Sequence, residues 1–415
     1  MPVDAVYRAW GLEGYDVIEV DEDQDELLVC VAWPRDQWRC PECLSRNVIC
    51  HDRRTRLWRS TPVGLKKVTI AMDVPRTLCH DCGCKRAHQP AFAEDRKRHT
   101  LAFERYASEL LKYLTISDLA RHLGLSWDTA SSIDQRRLEA LPRPQLSSLR
   151  RLAIDEIHSG KTHGYLTVVL DLESSVIVHV GDGRGAQAVA EFFRTLRKSR
   201  AKIEAVAMDM AGGYIKAVRE HLPGAAHVFD RFHVVKLMNE KLTVLRRDLH
   251  REAVDAQQKD VLKGIRWLLL MGEETLDSLS RLSNRKANQP SDRARLDAAL
   301  ALNAPLAIAY YLKEELRQFW QQTYKSRAER FLDRWCRQAE ASGIRVLQTM
   351  AKTLRRHRTG LLAWYDHRIS TGPLEGTNNN NKIKLIQHRA YGYRNKEHFR
   401  LRILTLHHTR LKITG

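Results

Sequence analysis

Arg151-Leu-Ala-Ile-Asp155-Glu-Ile157, followed by Gly164-Tyr-Leu-Thr-Val-Val-Leu-Asp-Leu172, decides how the rest of this chain is read. A short apolar run ends in a carboxylate, and a polar turn succeeds it, His158-Ser-Gly-Lys-Thr-His163. The second run has the β-branched and aromatic bias of a strand, and Val176-Ile-Val-His-Val180 makes a third. Together they predict a three-stranded antiparallel meander with an acid at the tip of its first strand. A carboxylate at a strand end, beside a turn, can reach solvent and a metal ion, whereas one in the strand interior cannot. An isolated Asp in such a place more often only ends the strand, so its meaning depends on the acids elsewhere in the chain.

The pattern then repeats. Gly185–Leu196 is an amphipathic helix, and Ile203-Glu-Ala-Val-Ala-Met-Asp209 is a buried strand that delivers a second Asp to a Gly-rich turn. A helix over Tyr214–Leu222, a strand Ala226-His-Val-Phe229 and the segment Asp230-Arg-Phe-His233 come next. Three antiparallel strands, then helix, strand, helix and strand, is the order of a ribonuclease-H-like α/β core. Two of these strands end in carboxylates, Asp155 and Asp209. Strand phase favours Asp155 over its neighbour Glu156 as the first.

From residue 234 to about 366 only helical periodicity is present, with Trp267, Trp320, Trp335 and Trp364 among many Lys and Arg. Aromatics at helical spacing are core more often than they are base-stacking platforms. An all-helical block inside an α/β domain reads as a large insertion that leaves the catalytic fold and returns to it. The return is Ser370-Thr-Gly-Pro-Leu-Glu375-Gly-Thr-Asn-Asn-Asn-Asn-Lys382-Ile-Lys384. An acid flanked by Gly, a run of amides and alternating Lys suits a pocket for metal and phosphate, which makes Glu375 the third candidate acid. Arg389-Ala-Tyr-Gly-Tyr-Arg-Asn395 and a last amphipathic helix, His398–Lys412, close the chain.

Ahead of the core, Tyr15–Val20 and Glu26–Val31 alternate like a hairpin. Cys40-Pro-Glu-Cys43 and Cys79-His-Asp-Cys82 bracket strand-like sequence, Lys67–Val74. Each knuckle puts two thiolates on one turn, and two knuckles supply the four soft ligands of a structural Zn²⁺. Cys84, His80 and His88 are possible substitutes in the second half. Ile116–Leu123, Gly124 and a second helix from about Trp127 fit a helix-turn-helix, with Ser126, Trp127 and Thr129 at the start of the groove-reading helix. The expected domains are a hairpin plus zinc ribbon over 1–98, a helix-turn-helix over 99–145, a first part of the core over 150–233, the helical insertion over 234–366, and a second part of the core over 367–415.

Composition agrees with a nucleic-acid partner. The 415 residues carry 69 Lys+Arg against 50 Asp+Glu, a net charge of +19. No apolar segment is long enough to span a membrane, and the N-terminus lacks the basic and apolar regions of a secretion signal. Cys-x-x-Cys pairs in a cytosolic chain indicate metal before disulfide. The expected setting is the cytoplasm, in association with the nucleoid.

In this order, the cysteine knuckles, the helix-turn-helix, Ile154-Asp-Glu-Ile157, Met208-Asp-Met210, Asp230-Arg-Phe-His233, and Gly372-Pro-Leu-Glu-Gly376 through Ala390-Tyr-Gly-Tyr-Arg394 resemble bacterial insertion-sequence DDE transposases of the ISL-three type. The resemblance covers essentially the whole chain. It implies a triad of Asp155, Asp209 and Glu375 and a further catalytic residue, His233, within an Asp-x-x-His motif. Two Mg²⁺ (or Mn²⁺) ions suit such a triad, because hard cations take oxygen ligands and in-line displacement at phosphorus uses a metal pair. Double-stranded DNA, as terminal inverted repeats and as target, is the implied partner, with Lys382, Lys384 and Arg389 contacting phosphates and a homodimer forming the synaptic complex. The alternative reading is a domesticated DNA-binding regulator without chemistry. A structure-specific nuclease has no need of a sequence-reading head.

Overall fold

The two cysteine knuckles lie at the open end of a long antiparallel hairpin, whose strands continue well beyond the sequence pattern. The computed structural model describes residues 3–158, 164–282, 291–375, 379–390, 393 and 395–408. By internal contacts the described residues form two units, residues 3–141 and residues 142–408.

In the first unit, helix α1 (Val3–Trp10) precedes β1 (Asp16–Glu22) and β2 (Glu26–Ala32), the expected antiparallel pair. The sequence pattern misses α1, an eight-residue segment too short to be stable alone. Burial of Trp10 with Trp58 and Phe92 supports it. β3 (Val48–Val63) and β4 (Lys66–Cys79) form the long hairpin, and β5 (Lys85–Ala87) adds to β4, giving the order β1-β2-β4-β3. The first half of β3 also escapes the sequence pattern, since His51–Thr55 are all solvent-exposed and carry no apolar alternation. Helices α2 (Leu101–Leu110), α3 (Ile116–Leu123) and α4 (Trp127–Ala140) come after the sheet. Thr100, Thr115 and Ser126 cap them, each accepting a backbone N–H in the first turn. Gly124 ends α3 at φ 63°, where a side chain would be strained. Phe103, Leu119, Leu123, Ala130 and Ile133 form the three-helix core.

The second unit opens with β6 (Arg151–His158), β7 (Tyr165–Asp171) and β8 (Ile177–Asp182), all antiparallel. Helix α5 (Ala186–Lys198) leads to β9 (Ala205–Met208), and α6 (Gly212–His221) leads to β10 (Ala226–Phe229). Both late strands are parallel to β6, and the order is β10-β9-β6-β7-β8. This is the ribonuclease-H-like arrangement expected from the element order. Gly181 has no room for a side chain, since a Cβ there would lie 1.9 Å from the carbonyl oxygen of Ala188. The expected turn over 159–163 lies outside the described residues.

The helical block comprises α7 (Arg231–Glu252), α8 (Ala256–Gly264), α9 (Arg266–Leu270), α10 (Glu273–Leu282), α11 (Asp292–Ala301), α12 (Ala304–Arg317), α13 (Lys325–Ala341), α14 (Arg345–Arg356), α15 (Arg358–Leu362) and α16 (Trp364–His367). Lys259–Met271 and Asp292–Tyr311 each read from the sequence as a single helix, but both are divided, α8 from α9 at Ile265 and α11 from α12 at Leu302-Asn303. Apolar spacing runs through both breaks, but the Asn303 carboxamide caps a new helix by accepting the Leu306 N–H. One apolar cluster joins the sheet to the helices, from Leu152, Val206 and Phe229 to Leu242, Trp320, Trp335 and Leu354. The chain then runs through α17 (Gly372–Glu375), α18 (Asn379–Arg389) and α19 (Lys396–Leu404). The last helix is shorter than expected, ending at Leu404 before a 3-10 turn over Leu406–His408. Among the described residues no helix is long and apolar enough to cross a membrane.

Candidate active site and metal centre

Strand register brings the first two acids together. β6 and β9 run parallel with Ala153 opposite Ala207; continued by two residues, this register sets Asp155 beside Asp209, which stands one residue past the end of β9. Side chains two apart share a face, so both carboxylates leave the sheet on the same side. Asp155 is not at the tip of its strand, as the sequence suggested: β6 continues to His158, with Asp155 opposite Val168 of β7. The element that ends there is the parallel ladder, because β9 stops at Met208. The Asp155 side chain is 11% exposed, and His233 of α7 places Nε2 4.0 Å from its Oδ1. Asp209 turns the chain out of the sheet by accepting the Ala211 N–H at 2.8 Å.

Glu156 points to the opposite face and is already engaged. The Tyr214 hydroxyl donates to its Oε1 at 2.9 Å, and Arg184 Nε lies 3.1 Å from its Oε2. Thr167 extends the network, its hydroxyl 2.8 Å from that of Tyr214. Burial, assisted by Glu156, raises the Tyr214 phenol above its ordinary range and keeps it a donor. Of the two neighbouring acids, Asp155 is therefore the one facing Asp209. Sequence reading could not find the Tyr214–Thr167–Glu156 network, because its members come from three elements and match no local spacing.

Asp230 holds a third strand end. It comes directly after β10, is 3% exposed, and caps α7 by accepting the Phe232 N–H at 2.7 Å. Its other oxygen accepts the Thr371 N–H at 2.9 Å. Thr371 begins the turn into α17, which packs against β6, so this buried carboxylate ties β10 and α7 to the segment leading to Glu375. The side chain of Glu375, residues 376–378 and residues 391, 392 and 394 lie outside the described residues. In α18, Ile383 and Ile386 are buried, Lys382 is half-buried, and Lys384 and Arg389 are exposed.

The cysteines gather as expected. Val48 pairs with Cys79 at the hairpin base, which brings the first knuckle beside the second. The sulfurs of Cys40, Cys43, Cys79 and Cys82 all lie within 4.8 Å of one another, with Cys40–Cys82 at 3.5 Å and Cys43–Cys79 at 3.6 Å. Tetrahedral Zn–S bonds of about 2.3 Å require sulfurs about 3.8 Å apart, so the donor set fits a structural Zn²⁺. The Cys43 N–H is the largest influence lowering the Cys40 thiol, while Cys43 and Cys82 of the same cluster are pushed up. Asp81 braces the two knuckles through Ser45 and Asn47. Cys84 is outside the group, and His88 is a buried core residue bonded to Thr77 and packed on Trp33.

At the start of α4, Trp127 is 49% exposed, while Ser126 is occupied as the cap, accepting the Thr129 N–H at 3.2 Å with its hydroxyl 2.9 Å from that of Thr129.

Comparison with known proteins agrees over most of the chain. Residues 152–403 match the transposase domain of the ISL3 family, residues 89–138 its helix-turn-helix domain, and residues 36–82 the zinc-finger of transposases IS204/IS1001/IS1096/IS1165. The chain belongs to the ISL3 family of DDE transposases.

Among its relatives, the transposase for insertion sequence element IS1001 of Bordetella parapertussis is 33% identical over 400 residues, 95% of each chain. The transposase for IS1557 of Mycobacterium tuberculosis is 29% identical, covering 93% of this chain and 90% of its own. Among solved structures, the Drosophila P element transposase strand transfer complex aligns with 75% of this chain and 92% of its own, at TM-score 0.36 and 11% identity. The strand order β10-β9-β6-β7-β8 of this ISL3 transposase is itself ribonuclease-H-like.

Proposed function

We propose that this ISL3-family transposase binds the terminal inverted repeats of its insertion sequence, hydrolyses a phosphodiester bond at each end, and joins the released 3′-hydroxyl to target DNA. What supports the proposal is the parallel register of β6 and β9, which runs toward Asp155 on one strand and Asp209 just past the end of the other, with the Glu375 helix against β6. Three carboxylates from separate elements are hard oxygen donors, and no thiol among the described residues joins them. They fit Mg²⁺ or Mn²⁺, and Asp155, Asp209 and Glu375 would hold two such ions. When bound, the ions activate the attacking oxygen and stabilise the leaving one.

The chain's own residues set the geometry around that chemistry. Asp155, largely buried, keeps a fixed direction in the β6 ladder. His233, beside it, orients the scissile phosphate or the leaving oxygen. Asp230 is a positioning residue, acting through Thr371 on the entrance to the Glu375 helix. Lys382, Lys384 and Arg389 supply positive charge for the DNA strand. In the helix-turn-helix, Trp127 and Thr129 would contact bases, and Ser126 would fix the start of the reading helix. The zinc ribbon (1–98) and helix-turn-helix (99–145) bind the ends, and the core (150–233 and 367–415), interrupted by helices (234–366), cuts them. Two ends cut in concert call for a homodimer, acting at the nucleoid in the cytoplasm.

The test is cleavage of a plasmid carrying the gene with its native flanks, with breaks mapped to the nucleotide. Metal-dependent breaks at the repeat ends, lost in Asp155→Ala, Asp209→Ala and Glu375→Ala, are the expected result. Tight binding to the ends with no breaks in Mg²⁺ or Mn²⁺ would replace the proposal with a DNA-binding regulator.

A further inference from the structure

Helix α13 sorts its charges onto different faces. Its carboxylates Glu329, Asp333 and Glu340 are all bound by arginines from the next helices. Arg358 reaches Glu329 at 2.6 Å and Asp333 at 3.2 Å, and Arg355 reaches Glu340 at 2.8 Å. Its apolar face, Ala328, Phe331, Leu332, Trp335, Cys336 and Ala339, is buried. The remaining face carries Arg327, Arg330, Arg334 and Arg337, all exposed. At 100° per residue these four fall within an arc of about 80°. Arg334 lies 3.4 Å from Glu315, while Arg327, Arg330 and Arg337 make no ion pair among the described residues. Tyr324, 62% exposed, heads the stripe with the Arg327 guanidinium 5.7 Å from its ring.

Helix α14, packed along α13, repeats the arrangement. It buries Leu347, Met350, Ala351 and Leu354, and exposes Arg345, Lys352 and Arg356 within an arc of about 40° on the opposite side. These three also lack ion pairs among the described residues. Scattered surface charge kept only for solubility would mix both signs. Here every acid is withdrawn into intramolecular pairs, and the outward cations are mostly guanidinium groups, whose planar fork matches phosphate oxygens. Each stripe is about 15 Å long, along which one strand of a duplex carries about four phosphates.

We propose that the outward face of the α13–α14 hairpin is a sequence-independent docking surface for the backbone of duplex DNA. It is additional to the helix-turn-helix and to the basic residues of α18, and it rests on the reading of this chain as an enzyme acting on DNA. Tyr324 and the guanidinium stripe hold the duplex by its phosphates and read no bases, so this surface supplies affinity and direction without specificity.

The experiment uses the full chain and a duplex of unrelated sequence, about 30 base pairs long, titrated between about 50 and 200 mM salt. The variant is Arg327→Gln/Arg330→Gln/Arg337→Gln. A control, Arg194→Gln/Arg197→Gln/Lys198→Gln on the exposed side of α5, removes the same charge elsewhere. The stripe variant is expected to weaken binding at least tenfold at the lowest salt. The slope of log affinity against log salt should become shallower by about 2 to 3, at about 0.9 for each phosphate no longer neutralised. The triple Arg→Lys variant should recover most of the affinity, and the control should keep the wild-type slope. Equal binding by wild type and the stripe variant, with unchanged unfolding midpoints, would overturn the proposal. So would an equal weakening in the control, which would mean that net charge alone matters. A wild-type chain that binds no duplex would instead overturn the transposase reading beneath it.

Discussion

The thiolates of the ribbon arrive as two pairs, each within one tight turn, whereas the carboxylates of the core arrive singly from elements far apart in the chain. A single hairpin register, Val48 against Cys79, is enough to close the cysteine site. The carboxylate site needs the parallel register of β6 and β9, the helical block and the return through α17. The difference teaches where each site is fragile. The knuckle end of the ribbon is expected to depend on its ligands for its fold. The acid pair sits on a sheet that is stable without it, and clustered carboxylates cost stability through mutual repulsion.

The sharpest way to break this comparison is to exchange neighbours on one strand. Asp155→Asn should lower end cleavage by about 10³-fold or more, equivalent to about 4 kcal/mol of transition-state stabilisation, while leaving the unfolding midpoint unchanged or raised. Glu156→Gln should reduce cleavage only slightly, because its partners are Tyr214 and Arg184. Equal reduction of cleavage in two well-folded variants would sink the assignment of faces.

Next in size is the zinc ligand set. Cys43→Ser should abolish bound zinc by elemental analysis and remove hydrogen-exchange protection from β3 and β4, while protection of β6–β10 persists. Retained protection in β3 and β4 would show that the ribbon folds without its metal.

Asp230 tests the border between the two behaviours, since it is an acid that acts structurally. Asp230→Ala removes a helix cap and leaves the buried Thr371 N–H without its acceptor, which together should cost about 2–4 kcal/mol in urea unfolding. Cleavage should fall while binding to the element ends holds. Asp230→Asn should recover only part, since a carboxamide has one acceptor oxygen for two N–H donors.

The smallest effect concerns Glu104 in α2. Burial pushes its carboxyl up, but hydrogen bonds from His99 and Arg136 override this and bring it down to about 2. A depressed folded value contributes stability above the unfolded value of about 4.3, and that contribution is lost as pH falls toward 2. Glu104→Gln should therefore destabilise the helix-turn-helix at neutral pH, with the gap to wild type closing below about pH 4. A gap independent of pH, monitored by circular dichroism, would show that packing matters and charge does not.

Legibility in the sequence tracks the range of the interactions. Gly124, Ser126 and the Cys-x-x-Cys pairs announce themselves because turn geometry, capping and metal ligation act over a few residues. β6 to β10 are readable because strands buried in a sheet leave apolar runs. α1 and the outer half of β3 are not, since one rests on tertiary burial of Trp10 and the other lies open to solvent. The breaks at Ile265 and Asn303 are hidden because apolar periodicity passes through them.

The sequence by itself determined the family, the order of the parts and the identity of the candidate acids and thiols, because these depend on residue type and near-neighbour spacing. Only the tertiary structure decided that Asp155 faces Asp209 while Glu156 is held by Tyr214 and Arg184, that Cys84 stands outside the thiolate group, and that Asp230 clamps the approach to α17. Each of these turns on which side of a strand or turn a group leaves, and against which distant backbone it lands. Strand pairing sets that, and a linear spacing does not encode it.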